Sequence, residues 1–312
     1  MVQVVVTTIV LLFVAKALIK QWQEFRGTPL VVAPSWTLII ASGIVVLATY
    51  GLLIETWRRI LGAWGSSLTF RDAARIWFVS NLGRYLPAKQ VWIVGAMSTM
   101  AEDAGVNAVA AAGSAVLNTI INIATGFLVA LVAGWRSFDT LSKGNTTIGI
   151  ALLVVALGGV LLLPTAMPYL LAIARRVTGR AFDLGPIPAR AIVISLVGNI
   201  IAWLMYGAAF ELFVRGVIGS APGTFADYVT AYAWPYILGY LAILVPGGIG
   251  VRDTALAVAL AALKLATPPQ AVVVMVTSRL WLTVLELVPG FIYLARGARR
   301  RPAPTLRNGT NP

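Results

Sequence analysis

The chain has 312 residues, 59% of them hydrophobic and only 11% charged, with a formal net charge of +13 and no cysteine or histidine. Soluble domains carry about 25% charged residues, so this composition, with a mean hydropathy of +0.87, excludes an ordinary soluble fold and points to a membrane. The missing residue types exclude disulfides, thiol nucleophiles, imidazole acid–base chemistry and the usual zinc and haem sites, and the 11 acidic residues are too scattered for a carboxylate metal cage.

A membrane helix needs about 20 apolar residues. The first such stretch is 2–19, with Lys16 able to snorkel; no basic segment precedes it, so it reads as a mature helix and not a signal peptide. Residues 36–54 form the second. Residues 66–85 mix Arg71, Asp72, Arg75 and Arg84 with Ile76, Trp77 and Phe78, the pattern of an interfacial amphipathic helix. The run Leu86-Pro87-Ala88-Lys89-Gln90-Val91-Trp92 and the apolar piece up to Met100 read as a broken, re-entrant element. Stretches 104–135 and 144–174 are long enough to tilt and are expected to form one hairpin. Then come 191–210, 228–245, a short apolar piece at 254–265, and 271–294, which contains Arg279 and Glu286. The basic tail 297–312 is expected to be disordered.

The expected fold class is therefore all-α: a polytopic membrane helix bundle of about eight segments. Two of these are broken or re-entrant, around Pro87 and Pro246. Residues 1–296 make one membrane domain. Arginine-rich loops mark the cytoplasmic side. Arg58, Arg59, Arg71 and Arg75, then Arg175, Arg176, Arg180 and Arg190, then Arg296, Arg299, Arg300, Arg301 and Arg307 supply them, and both termini come out cytoplasmic in an inner or plasma membrane. The same rule accounts for the net charge, so nucleic acid is not an expected partner; the oligomeric state is open.

The densest signal is Pro246-Gly247-Gly248-Ile249-Gly250-Val251-Arg252-Asp253. Proline removes a backbone donor and glycine removes conformational bias, so no regular helix runs through it. In hydrocarbon such a break is tolerated only where protein buries it or a wet cavity lines it. Charge directly after it marks a functional site. The Pro87 element echoes it. Each proline is followed by a short apolar helix, a link (Gly105-Val106-Asn107 or Thr267-Pro268-Pro269) and a long span, carrying Asn118 or Arg279 at nearly the same separation. Paired broken segments in two halves are a pointer to a transport site.

At these residues the chain resembles the transmembrane, flippase-like part of lysylphosphatidylglycerol synthases and its free-standing relatives. Val245–Leu260, VPGGIGVRDTALAVAL, is similar to that family's second motif, and Asn81–Trp92, NLGRYLPAKQVW, to its first, as found in the branch beside glycosyltransferases. The resemblance covers roughly 40–295. Asp253 stands where the family usually has glutamate, Ala88 where it has glycine, and Leu117-Asn118 where an acid–arginine pair is common. No segment matches the synthases' aminoacyl-transferase domain, so lipid aminoacylation is not expected.

A lipid translocator needs a polar furrow with cations and donors at depth. Arg252 and Arg279 are the leading cations, since the guanidinium fork suits phosphate. Amides at Gly247, Gly248 and Gly250 can add an anion-binding nest. Asp253 and Glu286 are expected to balance the arginines, and Arg84, Lys89 and Gln90 to contribute from the first half. Against this stand blander readings. Arg279 and Glu286, two turns apart, can simply pair, and the Pro-Gly break can be a tight turn. Trp92, Trp234 and Trp281 read as packing or interfacial anchors, Asn118, Asn122 and Asn199 as helix bridges, and Glu55 as a solvated neighbour of Arg58 and Arg59. The expected function is a transporter or flippase for a phosphate-bearing lipid, polyprenyl-phosphate-linked, glycolipid or phospholipid, with no cofactor and no enzymatic step. No G-x-x-x-x-G-K run is present, so direct ATP drive is not expected. The alternative is a membrane partner or scaffold of a glycosyltransferase or other envelope-synthesis enzyme. A transferase using Asp253 or Glu286 as base ranks last.

Overall fold

The computed structural model describes residues 34–85, 89–135, 158, 189–220, 222–241 and 250–298. All regular structure among them is helical: α1 (Trp36–Ala63), α2 (Phe70–Asn81), a 3-10 turn (Leu82–Tyr85), α3 (Lys89–Glu102), α4 (Ala108–Ala133), α5 (Ala189–Ile218), α6 (Phe225–Leu241), α7 (Val251–Ala262) and α8 (Pro268–Ala298). Helices α1, α4 and α5 and the Pro268–Arg296 part of α8 are long and apolar enough to cross a membrane. The all-α membrane bundle is as the sequence predicts. The expected spans 2–19 and 144–174, both proline breaks (at 86–88 and 242–249) and the tail from 299 lie outside the described residues.

Among the described residues the spans bury one face and leave an apolar face exposed. Ile40, Ile44 and Leu47 on α1, Val193, Val197, Ile201 and Leu204 on α5, and Val284, Val288 and Ile292 on α8 are exposed at helical spacing. Between helices in lipid there is no hydrophobic drive, so close packing at small residues and polar contacts hold the bundle together. Helices α1 and α5 run antiparallel in this way. A Cβ on Gly216 would lie 3.1 Å from the Ile39 backbone nitrogen, and one on Gly198 would collide with Thr56. Between them, Ser42 Oγ donates to the Ala209 carbonyl at 2.7 Å. Helices α4 and α5 are clasped by amides. Asn199 Nδ2 donates to Asn118 Oδ1 (2.9 Å), Asn122 Nδ2 to Asn199 Oδ1 (2.6 Å), and Ser195 Oγ to Asn118 Oδ1 (3.1 Å). These three asparagines bridge helices as expected.

Two differences from the sequence reading concern α2 and the final span. The helix predicted at 66–85 begins at Phe70, after Thr69 accepts the Asp72 N–H at 3.2 Å. Part of its apolar face packs on protein: Ala73, Ala74 and Ile76 are buried, and Phe78 stacks on Tyr293 of α8 at 6.0 Å, while Phe70 is exposed. Neighbouring helices cover much of the surface that sequence alone assigns to the membrane boundary. The final span is also continuous. Pro289 lies inside α8, and the helix runs on past it to Ala298.

The echo between the halves has a structural counterpart. A short helix, a brief link and a long helix occur as α3–α4 and again as α7–α8. Asn107 caps α4 by accepting from Val109 and Ala110 (2.8 and 3.2 Å). Thr267 precedes Pro268 at the first position of α8, where a missing N–H is harmless.

Gly207 on α5 meets α6: an added Cβ would lie 2.9 Å from Val229 Cα, a backbone atom that cannot swing aside. Gly207→Ala is expected to cost about 1–3 kcal/mol by overpacking, read as a lower melting temperature in detergent. Gly51→Ala, where no described residue lies within 4 Å of an added Cβ, is expected to leave the melting temperature unchanged or raise it.

Candidate functional site

Arg84, Arg252, Arg279 and Glu286 line one cavity, with ≈ 120 Å³ of room for water-sized molecules, at the meeting of the two halves. The elements bring them there for separate reasons.

Arg84 sits on the 3-10 turn after α2. That turn rests directly on α8, because Gly290 has no side chain: a Cβ there would lie 2.9 Å from Leu82 Cδ2 and 3.3 Å from the Phe78 carbonyl oxygen. Glu286 is one helical turn before Gly290, on the same face. Arg84 Nη1 forms an ion pair with Glu286 Oε1, and its Nη2 donates to Asn81 Oδ1 at 2.8 Å. Tyr50 of α1 donates its hydroxyl to the same Glu286 oxygen at 3.1 Å.

Helix α7 starts at Gly250, whose φ of 86° is left-handed and suits glycine. Asp253 then makes two contacts. Its Oδ2 accepts the Gly250 N–H at 3.2 Å, completing the first turn, and its Oδ1 accepts from Arg279 Nη1 of α8 at 3.1 Å. Asp253 is 8% and Arg279 7% exposed, so the pair is deep in the protein. Asp253 and Glu286 balance arginines as expected, and the blander alternative, an Arg279–Glu286 pair, does not form: each finds its partner on another element.

Arg252 takes a third course. Its stem lies against α6 at Gly239, where a Cβ would be 3.0 Å from Arg252 Cβ. Its guanidinium lies over the Tyr236 ring, 4.2 Å from the centroid, a cation–π contact. Tyr236 belongs to a row, Tyr228, Tyr232, Tyr236 and Tyr240, on one face of α6. Tyr206 of α5 stacks on Tyr232 at 5.3 Å, and Trp203 meets Tyr236 edge-on at 5.9 Å. Tyr50, Trp203, Tyr206, Tyr236 and Tyr240 line the cavity beside the arginines. This aromatic wall is absent from the expectations above, although the four-residue spacing of tyrosines was visible. Asn118 and Asn122 also line the cavity, so two of the helix bridges double as lining.

The remaining candidates divide. Lys89 and Gln90 open α3, but their side chains, like Gly247 and Gly248, lie outside the described residues. Gly250 shapes the start of α7. Trp281 packs on Gly43, and Trp234 on Phe127 at 5.8 Å, as anchors; Trp92 is exposed. Glu55 accepts from Arg58 Nε and Arg59 Nε, both at 2.7 Å, on its own helix. Among the described residues no group of three or more metal-ligating side chains occurs. The arrangement offers guanidinium and phenol donors to an anion, and two carboxylates that hold the arginines in its absence.

The family model described as the lysylphosphatidylglycerol synthase TM region matches residues 1–290. No curated protein matches the chain at a significant level.

Asp253→Ala would leave Arg279 buried without a counter-ion and the first turn of α7 uncapped. It is expected to destabilise the protein by about 3 kcal/mol or more, read as a large drop in melting temperature in detergent. Asp253→Glu, which retains the charge, is expected to recover most of the loss.

Proposed function

As the chain belongs to the lysylphosphatidylglycerol synthase TM-region family, we propose that it is a transporter or flippase for a phosphate-bearing lipid. The observation that carries this reading is the convergence of Arg84, Arg252 and Arg279 on one cavity walled by membrane-spanning helices. The barrier to lipid exchange is the passage of a charged headgroup through hydrocarbon, where an unpaired charge is expensive. A guanidinium that replaces headgroup water with directed N–H donors lowers that barrier. The arginines stand ready because Glu286 and Asp253 compensate two of them before substrate arrives. The headgroup then enters the cavity while its tails remain in lipid between the spans. Polyprenyl-phosphate-linked lipids, glycolipids and phospholipids all supply the required phosphate. The proposed setting is the cell membrane with both termini cytoplasmic, on the strength of the arginine-rich loops.

Purified protein in liposomes is expected to speed exchange of labelled phospholipid or polyprenyl-phosphate lipid between leaflets. Arg252→Ala is expected to slow it by about tenfold or more, the loss of one charge-assisted contact. Exchange no faster than in protein-free liposomes would rule the reading out.

A second reading, a membrane partner of a glycosyltransferase, is favoured by the exposure of Arg71 and Arg75 on one edge of α2. Under it, Arg71→Glu with Arg75→Glu is expected to abolish co-purification of the enzyme and leave lipid exchange unchanged.

A further inference from the structure

A second, smaller cavity lies between α1, α5, α6 and α8, with ≈ 20 Å³ of room for water-sized molecules. Among the described residues, three buried side-chain atoms lack a hydrogen-bond partner in the protein: Trp64 Nε1, Tyr232 Oη and Trp281 Nε1. Two of these residues, Tyr232 on α6 and Trp281 on α8, line this cavity. Trp281 is fixed there by packing, since a Cβ on Gly43 of α1 would collide with its ring. A buried donor left unpaired costs more than an ordinary hydrogen bond contributes, and at membrane depth no bulk water relieves it. Two further polar residues line the same cavity: Ser42 on α1 and Ser278 on α8, 1% and 5% exposed. Each has its single proton engaged. Ser42 Oγ donates to the Ala209 carbonyl at 2.7 Å, and Ser278 Oγ to the Met275 carbonyl at 3.0 Å. A hydroxyl oxygen that has given its proton keeps two lone pairs. The cavity is thus bordered by two residues with a proton to give and two with lone pairs to offer.

We propose that this cavity binds one structural water molecule. The water accepts from Trp281 Nε1 and Tyr232 Oη and donates its two protons to Ser42 Oγ and Ser278 Oγ. Donors and acceptors then balance, and all four bonds lie within the range of about two to four that buried waters make. Size agrees with polarity. A water needs about 10–15 Å³ by this measure, so ≈ 20 Å³ admits one and little more. An anion would face two serine oxygens, and a metal ion would face two donor protons; a neutral molecule with two of each suits all four. The water joins α1 and α6 to α8, and so braces the helix that carries Arg279 and Glu286. Tyr206 and Leu282 line both this cavity and the larger one, so the two spaces share a wall. Nothing in this arrangement depends on which lipid the larger cavity takes.

The test exposes the full chain in nanodiscs to X-rays, which split water into hydroxyl radicals that oxidise the side chains beside it. Oxidised residues are read by mass spectrometry. Trp57, fully buried and bonded through Nε1 to Ser114 Oγ at 2.9 Å, is the reference for a ring with a protein partner. Tyr232 is expected to be oxidised several-fold faster than Trp57. Ser278→Val and Ser42→Val each remove an acceptor and add bulk from a different helix, so one can fail to fold without loss of the test. In either variant the rate at Tyr232 is expected to fall to that of Trp57. A second measurement has opposite signs for a bonded and an unbonded hydroxyl. Tyr232→Phe is expected to lower the melting temperature in detergent, because a bonded hydroxyl is lost; deleting an unpaired one would raise it. Wild-type oxidation of Tyr232 no faster than that of Trp57, no fall in a folded serine variant, or a melting temperature not lowered by Tyr232→Phe overturns the proposal. Neither measurement uses lipid exchange, so each outcome leaves the phosphate-lipid reading where it stood.

Discussion

A charge within a bilayer must find a counter-charge or a polar cavity, and in this protein the counter-charges come from other helices. Arg84 follows α2 and is met by Glu286 on α8; Asp253 on α7 is met by Arg279 on α8. Helix α8 therefore contributes to both buried ion pairs, one of each sign. Tyr50 adds α1 to the same network through Glu286. Removing one partner from such a pair costs more than forming the pair contributes, because a bare charge remains. This asymmetry makes the network specify how the two halves meet, even where its net stabilisation is small.

The scaffold is arranged to bring these groups within reach. Close approach at Gly290 seats the Arg84 turn on α8, and close approach at Gly239 lays Arg252 along α6. Each small residue stands about one turn from a residue used in the cavity. Backbone proximity of this kind is the usual route to helix association in lipid. The asparagine clasp between α4 and α5 closes the far wall, with hydrogen bonds that remain within the protein. Family membership, four helices long and apolar enough to span a membrane among the described residues, and a cationic cavity thus describe one object: an integral membrane protein whose polar interior is assembled from both halves.

The aromatic wall gives the cavity a mixed character. Tyrosine rings flank the arginines with apolar surface yet present hydroxyl groups of their own. Arg252 rests against one of them in place of a carboxylate. Its charge is therefore sheltered and still available, unlike that of Arg84 or Arg279, whose carboxylates must be displaced before a ligand can take their place.

Local features were legible in the sequence because hydropathy, proline, glycine and charge act over a few residues. The helical class, the spans at α1, α4, α5 and α8, the short helix after Pro246 and the candidate arginines all follow from them. The asparagine bridges were legible too, since an amide in a span needs a partner in another helix. What the sequence left open was pairing. Glu286 lies two turns from Arg279 on one helix, and spacing alone left a pair between them open; the structure matches each to a distant segment. The covered apolar face of α2 and the inward row of tyrosines on α6 were open for the same reason. Which residues meet across long stretches of chain depends on how closely helices approach and at what angle. That depends on glycines and side-chain shapes on two surfaces at once, which no single stretch of sequence contains.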